Sequence, residues 1–293
     1  MKKVLKWIGL LVLGVVLILL LAAGTLYVLG GSVLETDAAI AAETLTSAAD
    51  SVALARGAYL VSTMGCQDCH GENLAGQVFA DAPPFLVSAS NLTAGQGGIG
   101  GTYTDADWER AIRHGVRPGN EGLLIMPSKA YHKLSDDETA DLIAYLKTVP
   151  AVDNELPKRA FGQVGRIIAG TGGLYSSASE IDHAQPHLAT APPHAPTAEY
   201  GQYRLTLCAY CHSEDLHGGP PLDPESPPSP DLFVVTGWTL DQFKTLMRTG
   251  VNPNGREINP QHMPWTAFRN MTDAELEAIH AYLQTLQPAN EAI

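Results

Sequence analysis

All four cysteines of this 293-residue chain fall in two copies of one pattern, Cys66-Gln67-Asp68-Cys69-His70 and Cys208-Ala209-Tyr210-Cys211-His212. No thiol remains for a structural disulfide, so the fold must be completed by whatever the two motifs hold. Cys-x-x-Cys-His is the attachment pattern of a c-type haem. The thiols add to the porphyrin vinyl groups as thioethers, and the adjacent imidazole turns back to ligate the iron. Two bare Cys-x-x-Cys pairs can also supply four soft ligands to zinc, and a single pair can serve thioredoxin-like exchange. Neither alternative needs a histidine directly after the second cysteine, and neither flank reads as the strand that precedes a thioredoxin motif.

The amino terminus sets a second constraint. Lys2, Lys3 and Lys6 precede an uncharged stretch from Trp7 to Leu34, with the first acid at Glu35. At 1.5 Å per residue the segment Ile8 to Gly30 can cross a bilayer as a helix. Its apolar core exceeds the roughly 7–15 residues of a cleaved signal peptide, so it reads as an uncleaved, single-pass anchor in a cell membrane. The lysines place the amino terminus in the cytoplasm, and the remainder of the chain on the extracytoplasmic, periplasmic side. The net charge of −13 argues against nucleic acid and anionic headgroups as partners, and for steering of proteins with a basic docking face.

The soluble part repeats itself. Met126-Pro127, Ala130-Tyr131, Leu134-Ser135-Asp136-Asp137-Glu138 and Ile143-Ala144-Tyr145-Leu146 align without a gap on Met263-Pro264, Ala267-Phe268, Met271-Thr272-Asp273-Ala274-Glu275 and His280-Ala281-Tyr282-Leu283. Upstream, Trp108 to Val116 matches Phe243 to Val251. Such self-similarity indicates duplication of one unit. Ser135/Glu138 and Thr272/Glu275 have the spacing of capping boxes, Pro150 and Pro288 stop the helices that follow, and Thr104 and Thr239 open shorter helices ending at Gly115 and Gly250. Strand-like alternation is scarce, so the fold class expected is all-α. The expected division is an anchor over 1–31, a tether over 32–50, a first unit over 51–151, a linker over 152–197 and a second unit over 198–293. Ala184 to Pro196 reads as an extended, semi-rigid linker or a strap lying on the surface, and His183, His187 and His194 are expected to be solvated for the most part.

His70 and His212 give each iron one axial ligand, and the other decides between carrier and open catalytic centre. Met126 and Met263 are the candidates. They occupy equivalent positions in the repeat, lie far enough past the histidines to reach the opposite haem face, and are each followed by a stiffening proline. His262 competes at the second site, while His114 and His132 are further distal candidates at the first. Arg113 and Arg248 can pair with haem propionates or stay solvated. Each proximal imidazole should donate its second N–H to a carbonyl, with Pro83-Pro84 and Pro220 to Pro230 as sources.

The chain resembles the membrane-anchored di-haem cytochrome c family, related to the cytochrome subunits of bacterial membrane-bound alcohol, gluconate and aldehyde dehydrogenases. The resemblance rests on Gly57-Ala58-Tyr59-Leu60, Asn91-Leu92-Thr93, Gly97-Gly98-Ile99-Gly100, Arg113-His114-Gly115-Val116-Arg117 and Met126-Pro127. It covers residues 51–150 well and 198–288 moderately. The chain departs from the dehydrogenase subunits in having two haem motifs instead of three. Its second unit also lacks a clear Asn-Leu-Thr, Asp231-Leu232 being nearest. The resemblance implies two tandem class I-like cytochrome c domains and two covalently attached haem c groups with His70/Met126 and His212/Met263 ligation.

The expected function is relay of single electrons between a respiratory, photosynthetic or dehydrogenase complex and a downstream acceptor. Its partners are redox proteins or a membrane oxidoreductase complex, and no small-molecule substrate is expected. The alternatives are a cytochrome subunit of a membrane-bound dehydrogenase, a di-haem peroxidase-like enzyme with one open iron, and a structural or zinc-binding protein.

Overall fold

The computed structural model describes residues 2–41, 43–221 and 226–286; Pro288 and part of the Pro220–Pro230 stretch lie outside them. The chain opens with α1 (Lys2–Leu34), about 50 Å long. Among the described residues it is the one helix long and apolar enough to cross a membrane. Leu and Val side chains along it are largely exposed, as lipid-facing residues are.

The first unit contains α2 (Ser51–Thr63), α3 (Cys66–His70), β1 (Gln77–Ala82), β2 (Phe85–Ala89), α4 (Asp105–His114), β3 (Val116–Arg117), β4 (Glu121–Gly122), α5 (Ser128–Tyr131) and α6 (Asp136–Leu146). The linker contributes β5 (Ala160–Phe161) and α7 (Gln163–Ile168). The second unit contains α8 (Ala198–Arg204), α9 (Thr206–His212), α10 (Leu240–Thr249), α11 (Trp265–Phe268) and α12 (Asp273–Leu283).

The all-α expectation is therefore wrong. β1, β2 and β5 form an antiparallel sheet in that order, and β3 pairs with β4 in a second one. Pro83-Pro84 makes the turn between β1 and β2, and a bulge between Val78 and Ala80 shifts the register. The bulge and the two-residue length of three strands erase the period-2 pattern by which a strand is read from sequence.

Helix ends follow local chemistry. Thr104/Asp107 and Thr239/Gln242 form reciprocal capping boxes, and Gly115 and Gly250 end α4 and α10 in the left-handed conformation. The boxes expected at Ser135/Glu138 and Thr272/Glu275 do not close. Thr272 Oγ1 does accept from Glu275 N at 3.2 Å, yet both carboxylates are taken by Tyr203 and Arg204 or by Tyr59 and Arg204. A buried guanidinium outcompetes a backbone N–H for a carboxylate because the charged hydrogen bond is the stronger one.

In each unit the first long helix packs on the last, α2 on α6 and α8 on α12, and each crossing runs through a glycine. A Cβ on Gly57 would sit 2.2 Å from Asp141 O, and one on Gly201 1.9 Å from Ala278 O. Leu60, Trp108, Ile112, Leu142 and Leu146 lie in the first core, and Phe243, Met247, Leu276, Ile279 and Leu283 in the second. Leu207 packs against both, so the two units share a boundary instead of swinging on the linker.

The connecting segments are tied down. Gly122 N donates to Thr36 O and Ala38 N to Asn120 O, both at 2.9 Å, which fixes the tether to the first unit. α7 lies against α1, with the Arg166 guanidinium 4.8 Å above the Tyr27 ring and Nη1 2.7 Å from Glu35. The strap crosses the start of α6, where Asp136 N donates to Leu188 O at 2.8 Å.

Candidate haem centres

The two motifs adopt one local design. Cys66–His70 and Cys208–His212 lie on short helices that end in a residue of positive φ, Gly71 at 79° and Ser213 at 66°. The loop then turns back through Leu74 and Leu216 (φ 59° and 64°), and through Gly76 and Gly218, whose N–H groups donate to His70 O and His212 O at 2.7 and 3.0 Å. At Gly76 glycine is required twice, by its positive φ and because a Cβ would sit 2.5 Å from Ala89 O.

This turn delivers a carbonyl to each proximal imidazole. His70 Nδ1 donates to Ser90 O at 2.8 Å and His212 Nδ1 to Pro230 O at 2.7 Å. Donation from Nδ1 fixes the tautomer and leaves Nε2 with its lone pair for a metal. Burial lowers the pKa of both rings, keeping them in the neutral, ligating form. The source in the first unit is Ser90 rather than Pro83-Pro84, which are occupied in the hairpin turn. Asp231-Leu232 is the structural counterpart of Asn91-Leu92. Leu92 N and Leu232 N donate to Leu74 O and Leu216 O at 2.8 and 2.9 Å, and each Asx side chain accepts from the backbone two residues on. The sequence offers Asp231-Leu232 only as the nearest match, because the spacing from the histidine differs and Thr93 is replaced by Phe233.

Met126 and Met263 are presented by the same turn. Ser128 N donates to Met126 O at 2.8 Å and Trp265 N to Met263 O at 2.7 Å, across Pro127 (φ −79°, ψ 51°) and Pro264 (φ −78°, ψ 55°). These are inverse γ-turns, which proline's fixed φ favours. Ile125, directly before Met126, sits at φ 70°, a strained conformation for a β-branched residue. Met126 and Cys66 pack against the first core, Met263 and Cys208 against the second. Burial, followed by the charge of the neighbouring cysteine, pushes the Cys66 and Cys208 thiols up to about 12. This is an apolar setting suited to a thioether and a porphyrin edge.

The competing imidazoles are placed elsewhere. His262 is exposed. His114 and His132 join His183 and His187 in a separate cluster. Arg113 and Arg248 are engaged at helix starts, Arg113 with Leu134 O and Asp136, Arg248 with Arg269 O and Asp273.

The residues present fit a haem. Trp108 Nε1 is buried in the first core with no acceptor, a state that costs about 1–3 kcal/mol and that a propionate carboxylate would relieve. With an imidazole lone pair, two thiols and a thioether in each unit, the donor set is that of a His/Met haem c.

Comparison with known proteins agrees. The Cytochrome c family model matches residues 54–150 and 198–287. The cytochrome c subunit of the quinone alcohol dehydrogenase of Gluconacetobacter polyoxogenes is 26% identical over 277 residues, 83% of this chain and 58% of the relative. The fructose dehydrogenase cytochrome subunit of Gluconobacter japonicus is 26% identical over 281 residues, 85% of this chain and 56% of its own length. A diheme cytochrome c-type protein of Cereibacter sphaeroides is 28% identical over 271 residues, 80% of this chain and 86% of the relative. The chain thus spans under three fifths of the length of the two dehydrogenase subunits. With the family model matched in both units, the chain belongs to the cytochrome c family, as an electron-transfer protein related to the cytochrome c subunits of bacterial membrane-bound dehydrogenase complexes.

Proposed function

We propose that this chain is the electron-relaying cytochrome c subunit of a membrane-bound dehydrogenase complex, with two covalent haem c groups held by Cys66, Cys69, His70 and Met126 and by Cys208, Cys211, His212 and Met263. The observation that carries the haem assignment is the twofold repetition of one geometry: a motif helix, an imidazole bonded to a carbonyl, and a Met-Pro γ-turn on the same core. When bound, haem c supplies the one-electron iron couple. The protein's own residues fix the two imidazoles and offer the thioethers. α5, which follows Met126-Pro127, packs against α9, the helix of the second motif, and Lys129 Nζ lies 3.4 Å from Glu214. The segment that follows Met126 and the helix of the second motif are thus in direct contact.

The dehydrogenase reading rests on relatives such as the alcohol and fructose dehydrogenase subunits. The catalytic oxidation belongs to a partner subunit, and α1 holds the assembly on the membrane with the haem units on the periplasmic face. Native electrophoresis of solubilised membranes, stained for haem, tests this. Co-migration with a dehydrogenase polypeptide, and reduction of both haems by that enzyme's alcohol or sugar substrate, is expected. A band containing this chain alone, unreduced by such substrates, favours a free-standing di-haem carrier, the reading supported by the near full-length match to the diheme protein.

A further inference from the structure

Four histidines outside the haem centres converge from distant parts of the chain. His114 ends α4, His132 follows α5, and His183 and His187 come from the linker. The ring centroids of His132 and His187 are 4.6 Å apart, those of His114 and His132 5.2 Å, and those of His114 and His183 5.1 Å.

The hydrogen bonds decide which nitrogens carry protons. His183 Nε2 donates to Ala178 O at 2.9 Å, so its Nδ1 accepts, and His114 Nδ1 donates to it at 2.9 Å. His114 Nε2 is then a lone pair, and it faces the buried Glu109 Oε1 at 3.3 Å. His132 Nδ1 lies 3.2 Å from Arg113 O and 3.4 Å from His187 Nε2, and donation to either leaves its Nε2 as a lone pair too. Neither His132 Nε2 nor Glu109 Oε1 has a hydrogen-bond partner, and both are buried. Glu109 Oε1 has the Arg113 guanidinium at 3.8 Å and His114 Nε2 at 3.3 Å beside it, whereas the His132 Nε2 lone pair has no donor and is open to a cation.

The local charge has the matching sign. Glu43, Glu109 and Asp136 all lie within 4 Å of the one buried guanidinium of Arg113, at 3.8, 3.8 and 2.8 Å. Three carboxylates against one guanidinium make the neighbourhood acidic. One ring nitrogen from each of His114, His132 and His187 lies within 4.8 Å of the other two. Zinc–nitrogen bonds of about 2.0–2.1 Å place tetrahedral ligands roughly 3.3 Å apart, so a small closure of the rings completes the geometry. His132 and His187 also line a cleft of about 510 Å³, which gives an ion a path in.

We propose that His114, His132 and His187 bind a divalent transition-metal ion of the zinc class, with His183 orienting His114 from behind. The ion ties the linker strap to the first unit, on the side where Ser177 Oγ donates to Met126 O.

The test uses the full-length, haem-loaded protein in detergent, stripped with a chelator and titrated with zinc against a chromophoric chelator. Zinc-edge X-ray absorption is then recorded on the loaded sample. One equivalent, with three imidazole scatterers near 2.0 Å, is expected. His187→Ala and His132→Gln should each weaken uptake at least about tenfold, and His183→Ala by about 10–100-fold. His194→Ala, whose ring bonds Thr272 away from the cluster, should not change it. Unaltered haem spectra verify that each variant is folded. No uptake, sulfur scatterers, or uptake indifferent to both His187→Ala and His132→Gln would overturn the proposal.

Discussion

Arg204 Nη1 of the second unit lies 3.4 Å from Glu138 Oε2 of the first, while its Nε donates to Glu275 of its own unit. Both glutamates are buried, as is Arg204, and the same two carboxylates accept from Tyr59 (Glu275) and Tyr203 (Glu138). One guanidinium is thus shared by acids from both units, which makes their boundary an ionic core as well as an apolar one.

Removing that guanidinium leaves two buried carboxylates without a cation. Arg204→Ala should cost about 3–5 kcal/mol. It should also split a single calorimetric unfolding transition into two, one for each unit. Retention of one transition at unchanged temperature would show that the units are not coupled through Arg204.

The two Met-Pro turns predict independent ligand losses. Met126→Ala and Met263→Ala should each remove about half of the ferric methionine-to-iron charge-transfer absorption, and each should make one haem bind added imidazole. The double variant should lose the band entirely. Survival of the full band in either single variant would assign that iron another ligand.

Close helix crossings make Gly57 and Gly201 intolerant of any side chain. Gly201→Ala should destabilise by about 1–3 kcal/mol or more, since its Cβ would meet the backbone of α12. Gly9→Ala in α1, where nothing lies within 4 Å, serves as the neutral control in thermal melts.

Asp231 holds the loop that delivers the Pro230 carbonyl to His212, through its bond from Phe233 N at 2.7 Å. Asp231→Ala should loosen that carbonyl and reduce electron donation by the imidazole. Loss of about 1 kcal/mol of preferential ferric stabilisation raises the potential of the second haem by roughly 40 mV. The first haem, held through Asn91 and Ser90, should keep its potential in the same redox titration.

Acid should free the strap before it unfolds the units. Burial works to raise the pKa of Asp137, but hydrogen bonds from Ser135 Oγ (2.6 Å) and Ala191 N (3.1 Å), with the charge of Arg56, hold it below the usual carboxylate value. A depressed folded pKa means the contribution is complete above the unfolded value near about 3.9 and is lost as pH falls through the folded one. Hydrogen exchange at the Ala191 amide should therefore accelerate below about pH 4, ahead of amides in α6.

The sequence by itself determined what depends on short spacing. The two Cys-x-x-Cys-His motifs, the paired Met-Pro steps, the glycines that end α4 and α10, and the apolar run that becomes α1 are each written within a few residues, where local sterics and bonding chemistry decide the outcome. Only the tertiary structure decided the contacts that join distant segments. Ser90 and Pro230 reach their histidines through loops of unequal length, and Arg204 draws Glu138 and Glu275 away from the helix caps their spacing advertises. His183 and His187, which look like solvated linker residues, are carried onto His114 and His132 by a strap bonded to α6. The short strands were invisible for the same reason, because their pairing is set by partners across the fold and not by an alternation within three or four residues. Local rules gave the parts their conformations, and competition among buried charges and backbone groups chose their partners.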